Sequence, residues 1–566
     1  MNILGISAFY HDSAAALIQD GVITFAAQEE RFSRIKQDNG FPIKSIAALL
    51  DHSSLTIQDI DLISWYEDPD LKFRRSTKIV RDQWPKSSEA FKAALTTKYA
   101  SRNEVVNEIQ KALNWKGKVE FHKHHESHMA SALFAKRGTG STLVVTVDGI
   151  GEFETGTAFL YDFLNPTVPP KKVWSLEYPT SIGLFYSAVT QLLGFEINEG
   201  EYKVMGLASY GKPIFLSKLI DDCLISNQQR ENPMFEAGII NWGNPNIAFG
   251  ERLLKIFDVN SLESLTFEKR ADIAASAQRF LEYLLIGILE KLVEKHRPNS
   301  IRLAGGVALN CTSNSAISRF LNIPIDVQPA AGDAGGSIGA ALLSAYLRDE
   351  ISNHNLPYQY QVFLGAEVGS ESEVNSFKGI LSNKYRVGNA DSQTIATLLA
   401  SDKVVAICRG RAEFGPRALG NRCILASPLK SEMKDHLNKA IKFREEFRPF
   451  APVVRSEDYA EYFEELKGDS ARQMLFTVKS LKPKTIPAVT HVDGTSRVQN
   501  LSKESNPDLW EIITSFNQLT GVPILTLTSF NLKGEPMVQN FYDALKTFES
   551  SGIDALVVED AIIYKE

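Results

Sequence analysis

The sequence predicts an α/β protein whose first part is two related halves facing each other across a cleft, with a further unit behind them. Three observations predict it. Strand, acidic turn and strand occur twice, once around Asp12 in "ILGISAFYHDSAAAL" and once around Asp148 in "STLVVTVDGIGEFETGTAFLYD". Strand, glycine turn and helix start also occur twice, in "SIRLAGGVALNCTSNSAI" and in "PIDVQPAAGDAGGSIGAALLSAYL". Finally, 566 residues exceed one core, since a domain takes roughly 100–200. Acidic turns between strands also occur without any repeat, so the glycine turns are what favour the cleft.

The elements follow in order. "NILGIS", "SAAALIQ" and "VITFAAQE" are short apolar runs, and the "QDG" between the last two is a hairpin signal. A sheet is therefore expected from residue 2. "HKHHESHMASA", His122 to Ala132, holds four of the ten histidines and leads into a helix. At the two later turns, Gly305, Gly306, Gly335 and Gly336 stand where backbone N–H groups and a helix N-terminus can cradle an anion, with Asn310 near the first turn of its helix. A Gly pair is also the ordinary material of a tight turn. "SNHNLPYQYQVFLG" is polar and contains proline, the composition of a linker. The expected division is 1–355, a linker over 356–366, and 367–566.

Composition excludes several classes. With 44% hydrophobic and 23% charged residues the chain reads as an ordinary soluble protein. A net charge of -7 argues against sequence-independent nucleic-acid binding. "MNILGISAFYHDSAAALI" lacks a basic n-region and is broken by a His-Asp pair, so it is not a secretory signal. No apolar run approaches the roughly 18 residues of a membrane span, and no membrane partner is expected. Cys223, Cys311, Cys408 and Cys423 are far apart with no CxxC, which fits a cytoplasmic location and excludes zinc ribbons.

Two motif near-misses are rejected. "GLASYGKP" has the P-loop spacing, but Pro213 replaces the magnesium-binding hydroxyl residue. "HHESH" places Glu126 one position late for a zincin. What survives is helix geometry: His124 and His128 are i and i+4 and share a face, while His125 points elsewhere. Two histidines rarely suffice for a metal, and the best sources of carboxylate are Asp148 and Asp333 at strand ends. A His/carboxylate set with open positions suits iron(II), zinc or manganese better than calcium or magnesium. The alternative is a histidine cluster capping a strand end in solvent.

The later part is rich in cations. Between Arg409 and Arg448 lie Arg409, Arg411, Arg417, Arg422, Lys439, Lys442, Arg444 and Arg448 in an otherwise acidic protein. Such a cluster can hold phosphates, because guanidinium forks bind them bidentately and a phosphoryl transition state needs fixed cations. Glu413, Glu432, Glu445 and Glu446 could instead pair with much of it. For Lys439 and Arg444 that solvated reading is preferred.

These residues carry a resemblance over essentially the full length. "ILGISAFYHDSAAAL", "AAQEERFSR", "HHESHMASALF", "VDGIGE", "GEYKVMGLASYGKP", "LAGGVALNC", "PAAGDAGGSIGAAL", "GRAEFGPRALGNRCILASP", "IKFREEFRPFAPVV", "HVDGTSRVQ" and "TSFNLKGEP" are similar to the NodU/CmcH-type carbamoyltransferases of nodulation and antibiotic biosynthesis. The resemblance implies an actin-like (ASKHA, TsaD-like) duplicated domain followed by a YrdC-like α/β domain. It implies a reaction in two steps: ATP, with Mg(2+), and carbamoyl phosphate form carbamoyl adenylate in the later domain. The earlier domain then passes the carbamoyl group to an acceptor hydroxyl.

Residue by residue, the resemblance implies that Arg417, Lys442, Arg448, Arg497 and Asn531 contact nucleotide or carbamoyl phosphate, alongside Arg411 of the cation cluster, with Arg417 and Lys442 catalytic. It assigns a metal, Fe(2+) or another divalent ion, to His124, His128, Asp148 and Asp333. His11, beside Asp12, is the expected general base for the acceptor hydroxyl; the competing reading is a histidine that only orders its turn. Lys203 and Glu201 in "GEYKVMG" line the nucleotide or acceptor site. Glu126 and Ser127 depart from the family pattern, as does the run after Asn310, and they bear on the acceptor. Family acceptors range from aminoglycosides to lipo-oligosaccharides. The expected partners are thus ATP, carbamoyl phosphate and a hydroxylated secondary metabolite, and a homodimer is left open.

Two other classes make different demands. A tRNA- or hydrogenase-directed carbamoyltransferase would bring CxxC fingers or a basic surface. An actin-like ATPase or sugar kinase would not need the arginine-rich later domain.

Overall fold

The computed structural model describes residues 1–566 except 97, 227–229, 382, 383, 469, 470 and 566. The chain divides into two compact units: Met1–Phe9, Ala16–Ile23 and Leu55–Tyr360 form the first, and Tyr10–Ala15, Thr24–Ser54 and Gln361–Glu566 form the second.

Two five-stranded sheets underlie the first unit, although Ala14–Ala15 and Thr24–Gln28 of the first sheet are grouped with the second unit. Strands β1 (Asn2–Ser7), β2 (Ala14–Gln19), β3 (Val22–Gln28), β4 (Leu62–Trp65) and β5 (Lys118–Phe121) lie in the order β3-β2-β1-β4-β5. Strands β6 (Ser141–Val147), β7 (Glu154–Asp162), β8 (Lys171–Glu177), β9 (Ser300–Ala304) and β10 (Ile325–Val327) lie in the order β10-β9-β6-β7-β8. Counted within each half, both orders are 3-2-1-4-5. The last two strands run parallel to their neighbours in each sheet, β1 with β4 and β4 with β5, β6 with β9 and β9 with β10. The repeat read from the two acidic turns is thus a repeat of topology, and the first unit has the duplicated actin-like architecture.

Local chemistry explains the elements. The β2–β3 hairpin turns on Asp20 and Gly21, both with positive φ, the conformation a two-residue I′ turn demands and Asp-Gly supplies. Parallel strands end where their chains must cross back through helices, so the residues just past β6, β9 and β10 gather at one edge of their sheet.

The helices that matter are α1 (Pro69–Asp82), α2 (Ser88–Thr96), α3 (His124–Leu133), α4 (Phe267–His296), α5 (Cys311–Leu321) and α6 (Ala334–Tyr346). Helix α6 packs on α3 and β1 through small residues. A side chain at Gly339 would stand 1.8 Å from the Ser127 carbonyl, and one at Gly5 would stand 1.9 Å from that of Ser337. Nothing larger than glycine fits either contact.

The second unit is built on an eight-stranded mixed sheet, in the order Arg386–Asn389, Ala561–Tyr564, Ala555–Val558, Val405–Cys408, Arg422–Ala426, Ile524–Ser529, Ala451–Arg455, Gln499–Leu501, with a small two-stranded sheet of Val478–Lys479 and Thr495–Ser496. Its central strands are buried on both faces. One face packs Leu437, Phe450, Phe530 and Phe548, and the other packs Leu399, Ile513, Phe516 and Leu527. No described helix is long and apolar enough to cross a membrane.

Candidate metal centre and cation cluster

Helix α3 starts two residues after β5 and aims two histidines at the ends of β6 and β10. His124 and His128 are one turn apart, with their Nε2 atoms 3.1 Å from each other. Asp148 follows β6, and its Oδ2 lies 2.9 Å from His128 Nε2 and 3.4 Å from His124 Nε2. Asp333 immediately precedes α6, and its Oδ1 lies 3.5 Å from His128 Nε2 and 3.7 Å from His124 Nε2. All four ligand atoms fall within 4.8 Å of one another. His124, His128 and Asp333 are buried and Asp148 is nearly so.

This donor set fits a divalent metal. Ligands about 2.1 Å from a shared ion stand about 3.0 Å apart at right angles and about 3.4 Å apart at a tetrahedral angle. The observed separations, 2.9 to 3.7 Å, span that range. The electrostatics agree. Burial by itself would lower the His128 pKa, but hydrogen bonds to Asp148 and Asp333 outweigh it and raise it to about 9. Burial by itself would raise the Asp148 carboxyl, but His124 and His128 hold it well below its ordinary value. Positive charge is therefore favoured among these atoms, and a cation supplies it. Two imidazole nitrogens with two carboxylate oxygens suit a first-row transition metal.

The surroundings hold the ligands in place. Glu152, buried, accepts from the backbone N–H of His124 at 3.0 Å and of Asp68 at 2.8 Å, fixing the first turn of α3. Burial pushes its carboxyl pKa up. Arg302 on β9 donates to carbonyls of Ala132, Leu133, Lys136 and Arg137 at the other end of α3. His125 turns away as expected: its Nδ1 is 2.6 Å from Thr146 Oγ1 and its Nε2 3.0 Å from the Glu154 carbonyl. Burial lowers its pKa to about 3, so it is a neutral strut. Glu152 and Arg302 were not singled out from sequence, although Glu152 lies inside the "VDGIGE" stretch.

The glycine turns sit beside this centre. Gly305 takes φ +86°, and a side chain there would meet the Val147 carbonyl at 2.3 Å. Gly306 faces Asp148 Oδ1. Gly335 and Gly336 lie in the first turn of α6, where side chains would strike the Ala330 carbonyl and the Tyr66 ring. Asn310 caps α5, accepting from Ser313 N at 2.9 Å, and donates to Gln278 Oε1 on α4. Lys203 lies over the Phe195 ring. "GLASYGKP" packs on α4, with Gly211 pressed against the Ala271 carbonyl.

In the second unit the chain winds a wide helical turn over Leu437–Lys442 and leaves it through Phe443 at φ +47°. This delivers Lys442 into the interior. Its Nζ donates to the Ser529 carbonyl at 2.8 Å, to the Asn531 carbonyl at 2.7 Å and to Asn531 Oδ1 at 2.7 Å. Burial, then the charges of Arg444, Arg448 and Lys36, push its pKa well below the usual lysine value. Lys36 thus belongs to this cluster although it lies more than 400 positions earlier in the sequence. Arg448 stands 3.6 Å from Glu445. Arg497 adds to burial in lowering the pKa of His491 to about 4.

Other cations of the run have different work. Arg411 donates to the carbonyls of Gly365, Thr24 and Leu364, and Arg422, fully buried, to those of Gln539, Arg409 and Gly410. Glu413 Oε1 accepts four backbone N–H groups, from Leu419 to Arg422, and so shapes the loop that carries the half-buried Arg417. Lys439 is exposed and pairs with Glu446. Arg444 bonds Asn438 Oδ1 and covers the Phe450 ring. His11 and Asp12 lie in the Tyr10–Ala15 segment of this unit, with Nδ1 3.0 Å from Oδ2 and Asp12 at φ +52°.

One unit thus holds a buried histidine–carboxylate cluster, and the other a buried lysine among arginines. Residues 2–342 match the family description "Carbamoyltransferase N-terminus" and residues 396–565 match "Carbamoyltransferase C-terminus". The chain belongs to the carbamoyltransferase family and is a carbamoyltransferase of the NodU type. It is 34% identical to the nodulation protein NolNO of Sinorhizobium fredii, across 99% of this chain and 80% of that one. It is 38% identical to NolO of Bradyrhizobium diazoefficiens, across 78% of each. An uncharacterised protein of Synechocystis is 35% identical across 100% of this chain and 97% of its own.

Proposed function

We propose that this chain is an ATP-dependent O-carbamoyltransferase with one centre chiefly in 367–566 and another chiefly in 1–355. In the later part, carbamoyl phosphate and one water give carbamate and phosphate. A carbamate oxygen then attacks the α-phosphorus of ATP, and pyrophosphate leaves with the electrons of the broken P–O bond. The product is carbamoyl adenylate. Lys442, Arg417, Arg448 and Arg497 hold the phosphoryl oxygens, with Lys36 near Lys442, and Asn531 orients the Lys442 amine.

In the earlier part an acceptor hydroxyl oxygen attacks the carbamoyl carbon and AMP departs. His11, hydrogen-bonded to Asp12, takes the hydroxyl proton. Gly305, Gly306, Gly335, Gly336, Asn310 and Lys203 bound the adenylate. His124, His128, Asp148 and Asp333 would hold Fe(2+), which when bound supplies Lewis acidity to a phosphate or carbamoyl oxygen. Cytoplasmic placement, where ATP and carbamoyl phosphate are available, belongs to the same proposal, as does a hydroxylated secondary metabolite as acceptor.

The observation that supports this most is the buried Lys442 amine, aimed by Ser529 and Asn531 among further cations. Burying an amine among like charges costs stability, and an anionic substrate offsets that cost. The test is product analysis with ATP and carbamoyl phosphate in the absence of acceptor. AMP and pyrophosphate, dependent on carbamoyl phosphate, are expected. ADP would support a kinase-type reaction instead.

A further inference from the structure

Helices α1 and α2 lie in the segment between β4 and β5, and four large apolar side chains of that segment stay at least 40% exposed. Helix α1 buries only Pro69, and α2 buries nothing. Phe73 is 40% exposed, Trp84 65%, Phe91 45% and Leu95 70%. Phe91 and Leu95 are four apart and share a face of α2. An amphipathic helix ordinarily buries such a face, and four large apolar side chains open to water in one insert mark an interaction surface.

The insert is held firmly at its base. The Asp68 carboxylate caps α1 through Asp70 N at 3.0 Å, Arg75 donates to the Gly151 carbonyl, and Ser87 Oγ donates to the Val80 carbonyl at 2.6 Å. Its free side is therefore a built surface on an anchored element.

Charge selects the occupant. Pro69–Thr96 carries seven Lys or Arg against three Asp or Glu, in a chain whose net charge is -7. Several of these cations also meet acids: Lys72 with Glu67, Lys78 and Arg81 with Asp82, and Lys92 with Glu89. Such exposed pairs are weak, and the excess of cations over acids remains. A second copy docked on the same face would set this positive surface against itself, because a two-fold interface pairs each patch with its own image. Basic residues interleaved with Trp, Phe and Leu on a helical element instead match the headgroup boundary of an anionic bilayer.

We propose that α1 and α2 dock this enzyme reversibly on anionic phospholipid. Trp84, Phe91 and Leu95 enter the acyl boundary while Arg74, Arg81 and Lys86 meet lipid phosphates. This surface attachment needs no membrane-crossing segment and does not depend on the carbamoyl chemistry.

The test is flotation of the full chain with vesicles of phosphatidylcholine alone and with about 30% phosphatidylglycerol. Recovery with the anionic vesicles alone is expected, falling steeply in about 0.5 M salt. Leu95→Glu, and separately Arg81→Glu with Lys86→Glu, should each reduce it roughly tenfold. Both changes are on exposed positions, and circular dichroism checks that the fold is kept. Equal recovery with neutral and anionic vesicles, or none with either, would overturn the proposal. So would a concentration-dependent dimer in sedimentation velocity that Leu95→Glu dissolves, because the face would then be covered by protein.

Discussion

Replacing Arg302 with methionine tests how the helix that carries His124 and His128 is held. Arg302 is 2% exposed. Its Nη1 donates to the carbonyls of Ala132 at 3.2 Å, Leu133 at 2.7 Å and Lys136 at 2.8 Å, and its Nη2 donates to Arg137 at 2.6 Å. The last carbonyls of a helix have no partner within it, and a cation there complements the helix dipole. Hydrogen bonds from a charged donor are worth about 1.5 kcal/mol each at the low end, which bounds four of them near 6 kcal/mol. Nη1 is shared among three acceptors, so about 3 kcal/mol is the expected loss. Amide exchange across His124–Leu133, read by mass spectrometry, should then accelerate about a hundredfold. Arg302→Lys, with fewer donors in one place, should lose about half as much free energy. Exchange within about threefold of the parent protein would refute the reasoning, because the end of α3 would then be held by something other than this guanidinium.

Three further outcomes follow from the geometry. His128→Gln should weaken binding of a divalent transition metal by at least about a hundredfold, read by competition with a chromogenic chelator. Metal addition should raise the melting temperature of the parent protein and leave that of the variant unchanged. Lys442→Met leaves the Asn531 and Ser529 oxygens without their buried donor, so it should cost about 1–3 kcal/mol in urea denaturation despite removing a disfavoured charge. Burial would raise the Glu120 carboxyl, but hydrogen bonds from Arg348, Lys118 and Ser344 hold it at about 2, against 4.5 for the unfolded chain. Its contribution is therefore complete above about pH 4.5 and is lost as pH falls towards 2. The pair is partly in solvent, so Glu120→Gln should cost about 1 kcal/mol at pH 7 and close to nothing at pH 2.

Local signals in the sequence reach a long way in this protein. The Asp-Gly hairpin, the strand before Asp148 and the glycine turn after β9 are written in short-range pattern and appear as read, whereas Gly335 and Gly336, expected in a turn, lie inside the first turn of α6. The i, i+4 spacing of His124 and His128 points to half of the cluster that the fold brings together, and strand ends point to Asp148 and Asp333. Turn chemistry and helix period are properties of neighbouring residues, and so are legible.

What stays hidden depends on contacts between distant segments. Tyr10–Ala15 and Thr24–Ser54 belong with the second unit, although a linear reading assigns them to the first. Lys36 joins Lys442 only through that exchange. Arg411 and Arg422 look like phosphate ligands in a list of cations, yet their guanidinium groups are taken up by carbonyls. Arg302 lies within a strand, where alternation shows a burial face but not that a helix end waits there. The α1–α2 segment carries no motif, and only the fold shows that Trp84 and Leu95 there stay exposed.

The most direct test of two centres with two tasks is to measure both half-reactions in His124→Ala and in Lys442→Met. Pyrophosphate release with ATP and carbamoyl phosphate reports the first, and carbamoyl transfer from supplied carbamoyl adenylate to a hydroxyl acceptor reports the second. His124→Ala should keep pyrophosphate release within about twofold and lose transfer by at least about a hundredfold, while Lys442→Met does the reverse. Loss of both half-reactions in either variant would contradict the division of labour and point to a single shared centre.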